Sequence, residues 1–206
     1  MDTPSAAIRG SEFDFQQTVT ALAGTEPDEE LALELLEESI DAWRDGRLGA
    51  ARTALLRMYF ASGRDETFIR DAFEAMVEEN AWLLIAETLY MSERANAIEL
   101  TANMQAYIHQ VLYMAAADPQ SKNLFEKNQK TPIFSAAAIR YDILNGDSSN
   151  SKDDLAEILN DPEKLKQFPE ARLLEGELFL NLGDKRRAMG IFEEIMEDEA
   201  TPEWIW

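Results

Sequence analysis

The chain has 206 residues, 46% of them hydrophobic, and its 40 acidic against 19 basic side chains leave a net charge of −21. That length and apolar content supply the core of one or two domains, while the charge repels phosphate backbones and anionic lipid and so argues against nucleic acid as a partner. There is no cysteine, which excludes disulfides, thiolate catalysis and cysteine-ligated metal.

Alanine, leucine and glutamate dominate, with 9 Gly and 7 Pro, a mix that favours helix. No period-2 run of β-branched residues makes a sheet, so the fold class expected is all-α. No apolar run approaches the ~18 residues of a membrane span, and the N-terminus carries no basic-then-apolar signal. The compartment stays open, with the cytoplasm slightly favoured and an exported or membrane-anchored parent protein an alternative.

Gly10-Ser11-Glu12-Phe13 is the peptide that two joined cloning sites encode in frame. Residues 1–13 are therefore read as a vector-derived leader, and 14–28 as a flexible, polar lead-in. A helix follows over Glu29–Arg44. Leu33, Leu36, Ile40 and Trp43 share one face, and Leu35 and Ala42 lie on the next. Glu30, Glu34, Glu37, Glu38 and Asp41 form an acidic stripe. Asp28 is its expected N-cap. Asp45-Gly46 breaks it, Arg47–Ala61 resumes with Ala51, Leu55, Met58 and Tyr59, and Ser62-Gly63 closes the unit.

Asp65–Glu79 and Ala81–Glu93 form a second pair, or one bent helix, since the turn at Glu79-Asn80 lacks glycine. Asn96–Ala117 is the longest helical pattern, ended by Asp118-Pro119. Gln120–Thr131 is a short helix or a loop, with Leu124 and Phe125 as its anchors. Pro132–Asn145 is helical, and Gly146–Ser151 reads as a long turn before Lys152–Asn160. Asp161-Pro162 and Phe168-Pro169 punctuate the lead into a final pair.

That final pair carries the strongest pattern. Gly176 and Gly183 are seven apart, Ala188 follows by five and Phe192 by four. Small residues in this order let two short antiparallel helices approach closely. The order partly recurs 137 residues earlier, at Gly46, Ala51 and Leu55, close to four periods of ~34. Pro169-Glu170 recurs as Pro202-Glu203, so the chain is expected to end inside a further unit, with Trp204 and Trp206 as its core residues.

Residues 169–202 resemble a tetratricopeptide repeat, with Gly176, Phe179, Gly183, Ala188 and Phe192 at its small and aromatic positions. Arg172, Glu175 and Ile195 depart from it. Residues 29–63 match more weakly through Ser39, Gly46, Ala51 and Leu55, and the middle of the chain matches only in helix length. The resemblance implies a right-handed α-solenoid of antiparallel hairpins over 29–206, a protein–protein interaction scaffold whose first helices line a concave, peptide-binding face. On this chain the corresponding positions are Leu36, Ile40 and Trp43 in the first unit and Leu173, Glu177 and Leu180 in the last. Such a face, apolar and acidic, suits a basic or amphipathic peptide. Two other readings stay open: a self-assembly module, and a regulatory or chaperone-like accessory domain of a larger membrane or enzyme complex.

An enzyme is not expected. The chain's one histidine, His109, has Ala106 three residues before it, so the Glu-x-x-His pair of a di-iron bundle is missing. Zinc would need further nitrogen or sulfur ligands. Asp147, Asp153 and Asp154 do not have the spacing of a calcium loop, and no glycine-rich phosphate loop or strained nucleophile turn is present. No cofactor or metal is expected, and His109 is read as a surface or packing residue.

Overall fold

A computed structural model describes residues 19–24, 26–95, 101–128, 130–146 and 148–205. The leader at 1–13, the first part of the lead-in, Asn96–Leu100, Asp147 and Trp206 lie outside the described residues. Within them the protein is all-helical, without strands. It divides into two compact units, Met1–Met104 and Gln105–Trp206.

In the first unit, α1 (Glu29–Arg44), α2 (Leu48–Ala61), α3 (Glu66–Glu78) and α4 (Trp82–Arg94) follow one another through short turns. Asp28 caps α1 by accepting from the Leu31 amide at 3.0 Å, as its position before the acidic first turn predicts. The most extensive helix pairing in this unit joins α1 to α2, and α2 also packs on α4. Leu55, Met58, Phe73, Met76 and Ile85 are fully buried, each contributing about 1.5–3 kcal/mol.

The stripe of α1 that enters the core is Ala32, Leu35, Ser39 and Ala42, rather than the face bearing Leu33 and Leu36. Small residues win because α2 lies close: Ser39 Oγ donates to the Ala51 carbonyl at 2.9 Å. Leu33 is left exposed. The turn at Glu79-Asn80 separates two helices rather than bending one. Asn80 takes a left-handed φ of +57° while the Ala81 amide reaches back to the Met76 carbonyl, so asparagine closes the helix where glycine usually does.

The second unit holds α5 (Ala102–Ala115), whose first residues precede the unit boundary, then α6 (Lys122–Asn128), α7 (Ser135–Asn145), α8 (Ser148–Leu159), α9 (Pro162–Gln167), α10 (Ala171–Asn181) and α11 (Lys185–Glu197). Short 3-10 turns sit at Pro119–Ser121, Pro132–Phe134 and Glu203–Ile205. The segment expected as a helix or a loop over 120–131 holds α6, with Leu124 and Phe125 buried. The long turn expected after Gly146 is much shorter. Gly146 closes α7 at a φ of +80°, and α8 already begins at Ser148.

Asp161-Pro162, read as punctuation, starts α9. Asp161 caps it by accepting from the Glu163 and Lys164 amides, and proline at the first helical turn has no amide to satisfy. Helix α10 packs on α7, α8 and α11. The core gathers Tyr113, Ile139, Ile143, Leu155, Ile158, Phe168, Leu174 and Leu178, with Trp204 half-buried against it.

The last hairpin has the construction its small residues predict. Gly183 takes a φ of +83°, and the Asp184 amide reaches the Phe179 carbonyl. A Cβ built on Gly176 would lie 2.2 Å from Phe192 Cε1. The α1–α2 turn is made the same way, with Gly46 at +72° and the Arg47 amide on the Ala42 carbonyl.

Candidate functional site

Of the expected partner-facing residues in the first unit, Leu36, Ile40 and Trp43 are each half-buried. Spacings of four and three put them on one face of α1. Trp43 Nε1 donates to the Glu79 carbonyl at 2.9 Å, and Arg44 clasps the Glu79 carboxylate at 2.6 and 3.1 Å. This bidentate hydrogen bond, and the opposite charge, hold the Glu79 carboxyl below the usual carboxylate range. Trp43 and Arg44 thus tie the end of α1 to the end of α3. The acidic stripe of α1 is exposed along its length.

In the second unit Leu173 is half-buried against the core, while Leu180 is 50% exposed. Glu177 is engaged within the unit. It takes Arg140 Nε and Nη2 at 3.0 Å each and the Tyr113 hydroxyl at 2.8 Å. The Arg140 guanidinium lies 3.6 Å from the Tyr113 ring centroid and donates to the Tyr113 carbonyl. With side-chain exposures of 12% and 18%, Arg140 and Glu177 form a mostly desolvated, bidentate pair. Glu177 therefore serves the packing of α5, α7 and α10 more than an outside ligand.

Burial pushes the Tyr113 phenol well above its ordinary value; the Glu177 charge adds to this and Arg140 partly opposes it. Above about pH 10 an unfolded tyrosine ionises while Tyr113 in the fold keeps its proton. The unfolded state then binds fewer protons, so stability falls as pH rises. Tyr113→Phe is expected to flatten that alkaline loss, at a cost of about 1 kcal/mol near neutral pH for the missing hydrogen bond. Urea midpoints from neutral to about pH 11 read the slope; an unchanged slope would assign the loss to other groups.

His109, on α5, is a packing residue with a polar tie. Its Nδ1 lies 2.8 Å from Glu170 Oε1, and the two side chains are 5% and 3% exposed. The Phe168 ring stands edge-on to the imidazole, centroids 5.5 Å apart. The second carboxylate oxygen of Glu170, Oε2, is buried with no hydrogen-bond partner among the described residues.

The main concavity of this unit is a cleft of about 530 Å³ bordered by α7, α8 and α9, within the range of small-ligand sites, roughly 300–1,000 Å³. Its buried floor is Ala138, Ile139, Ile158 and Phe168. Around the floor stand Asp142, Asp154 and Glu157 with Lys130 and Lys164. Lys164 Nζ is bonded to Glu157, which raises the Lys164 ammonium above its ordinary value. Ser151 Oγ lies 3.4 Å from Asp142 Oδ2. Sequence reading does not reach this cleft, because α9, which closes one side, reads as linker.

Among the described residues no group of three or more His, Asp or Glu side chains is placed to hold a metal ion, and no helix is long and apolar enough to cross a membrane. No protein-family model, curated protein or solved structure matches the chain.

Proposed function

We propose that the protein is a scaffold of stacked helical hairpins, similar in plan to tetratricopeptide repeats, that binds a basic peptide or protein segment. One recurrence carries this reading. Side-chain bonds between helices repeatedly join residues about one repeat length apart. Trp43 bonds to Glu79 across 36 residues, Arg44 to Glu79 across 35, Arg52 to Glu87 across 35 and Thr101 to Glu66 across 35. In the second unit Arg140 meets Glu177 across 37 and Asn181 meets the Ile143 carbonyl across 38.

In a stack of hairpins each helix lies beside its counterpart one period away, so such a constant separation is what successive repeats produce, and ~34 residues is the tetratricopeptide period. In a bundle of unrelated helices the separations would scatter. The net charge of −21 then selects for basic partners and speeds their encounter.

A pull-down with the whole chain at low and high ionic strength tests this. Basic proteins or peptides should be retained at low salt and should elute as the surface charge is screened over a Debye length of about 8–10 Å. Retention only of acidic or neutral partners, indifferent to salt, would overturn the electrostatic part of the reading. Retention of nothing would overturn the scaffold itself.

A further inference from the structure

We infer that the cleft of α7, α8 and α9 is the seat for one basic side chain, lysine or arginine, of such a bound peptide. Its aliphatic stem lies on Ile139, Ile158 and Phe168, and its cation is held by Asp142 and Asp154. This rests on the peptide-binding reading above and adds a place and a residue class to it.

Three observations converge on a long side chain with a charged end. The floor is apolar and buried while the surrounding charges are more exposed; lysine and arginine match that gradient, because their methylene stems cover apolar surface while the head stays at the polar edge. The charge has the right sign, with three carboxylates facing two ammonium groups. Since Lys164 is already bonded to Glu157, the balance at the remaining edge is Asp142 and Asp154 against Lys130. Finally, Asp142 receives the Ser151 hydroxyl, which orients one carboxylate oxygen, and a carboxylate has further lone pairs to offer an incoming cation.

The occupant is assigned to a peptide rather than a free amine because the volume, about 530 Å³, leaves room for main chain on either side of the basic residue. A neighbouring apolar residue of the peptide would share the floor. Lys130 opposes the cation, so it weakens binding.

The test uses the isotope-labelled whole chain followed by NMR. The probes are acetyl-Gly-Leu-Arg-Leu-Gly amide, the same peptide with glutamate for arginine, and arginine amide alone. The arginine peptide should shift the amides of α7, α8 and α9 saturably. The glutamate peptide should bind about tenfold more weakly or not at all, and arginine amide more weakly than the peptide. Asp154→Asn, a change on an exposed helix surface, should weaken the arginine peptide several-fold. Asp142→Asn with Asp154→Asn should abolish the preference over glutamate, and Lys130→Gln should tighten binding.

Equal binding of the glutamate peptide, or unaltered binding by both aspartate variants, would overturn the assignment. Arginine amide binding as tightly as the peptide would make this a small-cation site and overturn it too. If the arginine peptide shifts only amides of α1–α4, the cleft assignment fails and the scaffold reading stands. If neither peptide shifts any amide, both fail.

Discussion

Gly176→Ala is expected to destabilise the protein, against the usual direction of a glycine-to-alanine change inside a helix. In an ordinary helix interior that change gains about 1 kcal/mol. Here the new methyl would stand 2.2 Å from Phe192 Cε1, with Cζ and Cδ1 at 2.7 and 2.8 Å. Overpacking of this kind costs about 1–3 kcal/mol. Three ring atoms are in the way at once, so the upper part of that range applies and the net result is a loss of about 1–2 kcal/mol. The first hairpin shows the alternative solution: Ser39 and Leu55 stand at the positions of Gly176 and Phe192, and Ser39 uses its side chain to bond the Ala51 carbonyl. Gly176→Ala combined with Phe192→Leu should therefore recover part of the loss, giving a favourable coupling of about 1 kcal/mol in a double-mutant cycle. Urea unfolding of the four proteins measures it. Strict additivity would mean that the ring can move aside freely and that the hairpin does not depend on this glycine.

That contact was legible in the sequence because it is local: Gly176, Gly183, Ala188 and Phe192 fall within one hairpin, and helix periodicity sets which of them face each other. For the same reason the N-cap at Asp28 and the glycine turns at 46, 63, 146 and 183, all left-handed in the structure, follow from residue type and position. Other features were not legible. Helix α1 has apolar side chains on two faces, and only the approach of α2 decides that Ala32, Leu35, Ser39 and Ala42 go inside. Asn80 closes a helix with a residue that tolerates the left-handed region less often than glycine. Ser148–Ser151 is a polar run that turn statistics assign to a loop, yet it forms the first turn of α8, where Ser151 is buried.

The candidate site was the least legible, because it depends on pairs far apart in the chain. Glu177 reads as an acidic position open to a ligand. Arg140, 37 residues earlier, occupies it, and nothing local to either residue announces the other. The cleft has the same origin: its walls come from α7, α8 and a six-residue α9 that proline and aspartate punctuation disguises as linker.

His109→Leu is expected to be the most destabilising single change among the polar ties of the second unit, by about 3–5 kcal/mol. The pair is nearly dry, at 5% and 3% exposed, and Glu170 Oε2 already has no partner. Removing the imidazole takes away the remaining side-chain contact of that carboxyl group, Nδ1 at 2.8 Å. Glu170→Gln should cost far less, about 1 kcal/mol, because an amide oxygen can still face Nδ1 and no buried charge is left behind. The informative protein is the double variant, His109→Leu with Glu170→Met. Replacing both members of a buried polar pair with apolar groups of similar volume is often nearly neutral, and Phe168, edge-on to the imidazole, already supplies an apolar wall. The double variant should therefore be more stable than His109→Leu alone. Amide exchange in the first turn of α10 gives an independent reading, since Glu170 lies directly before that helix: protection there should fall in His109→Leu and return in the double variant. A double variant as unstable as the sum of its two singles would mean that the imidazole is needed for its shape against Phe168 and not for its bond to Glu170. The Pro169-Glu170 step would then start α10 without anchoring it to α5.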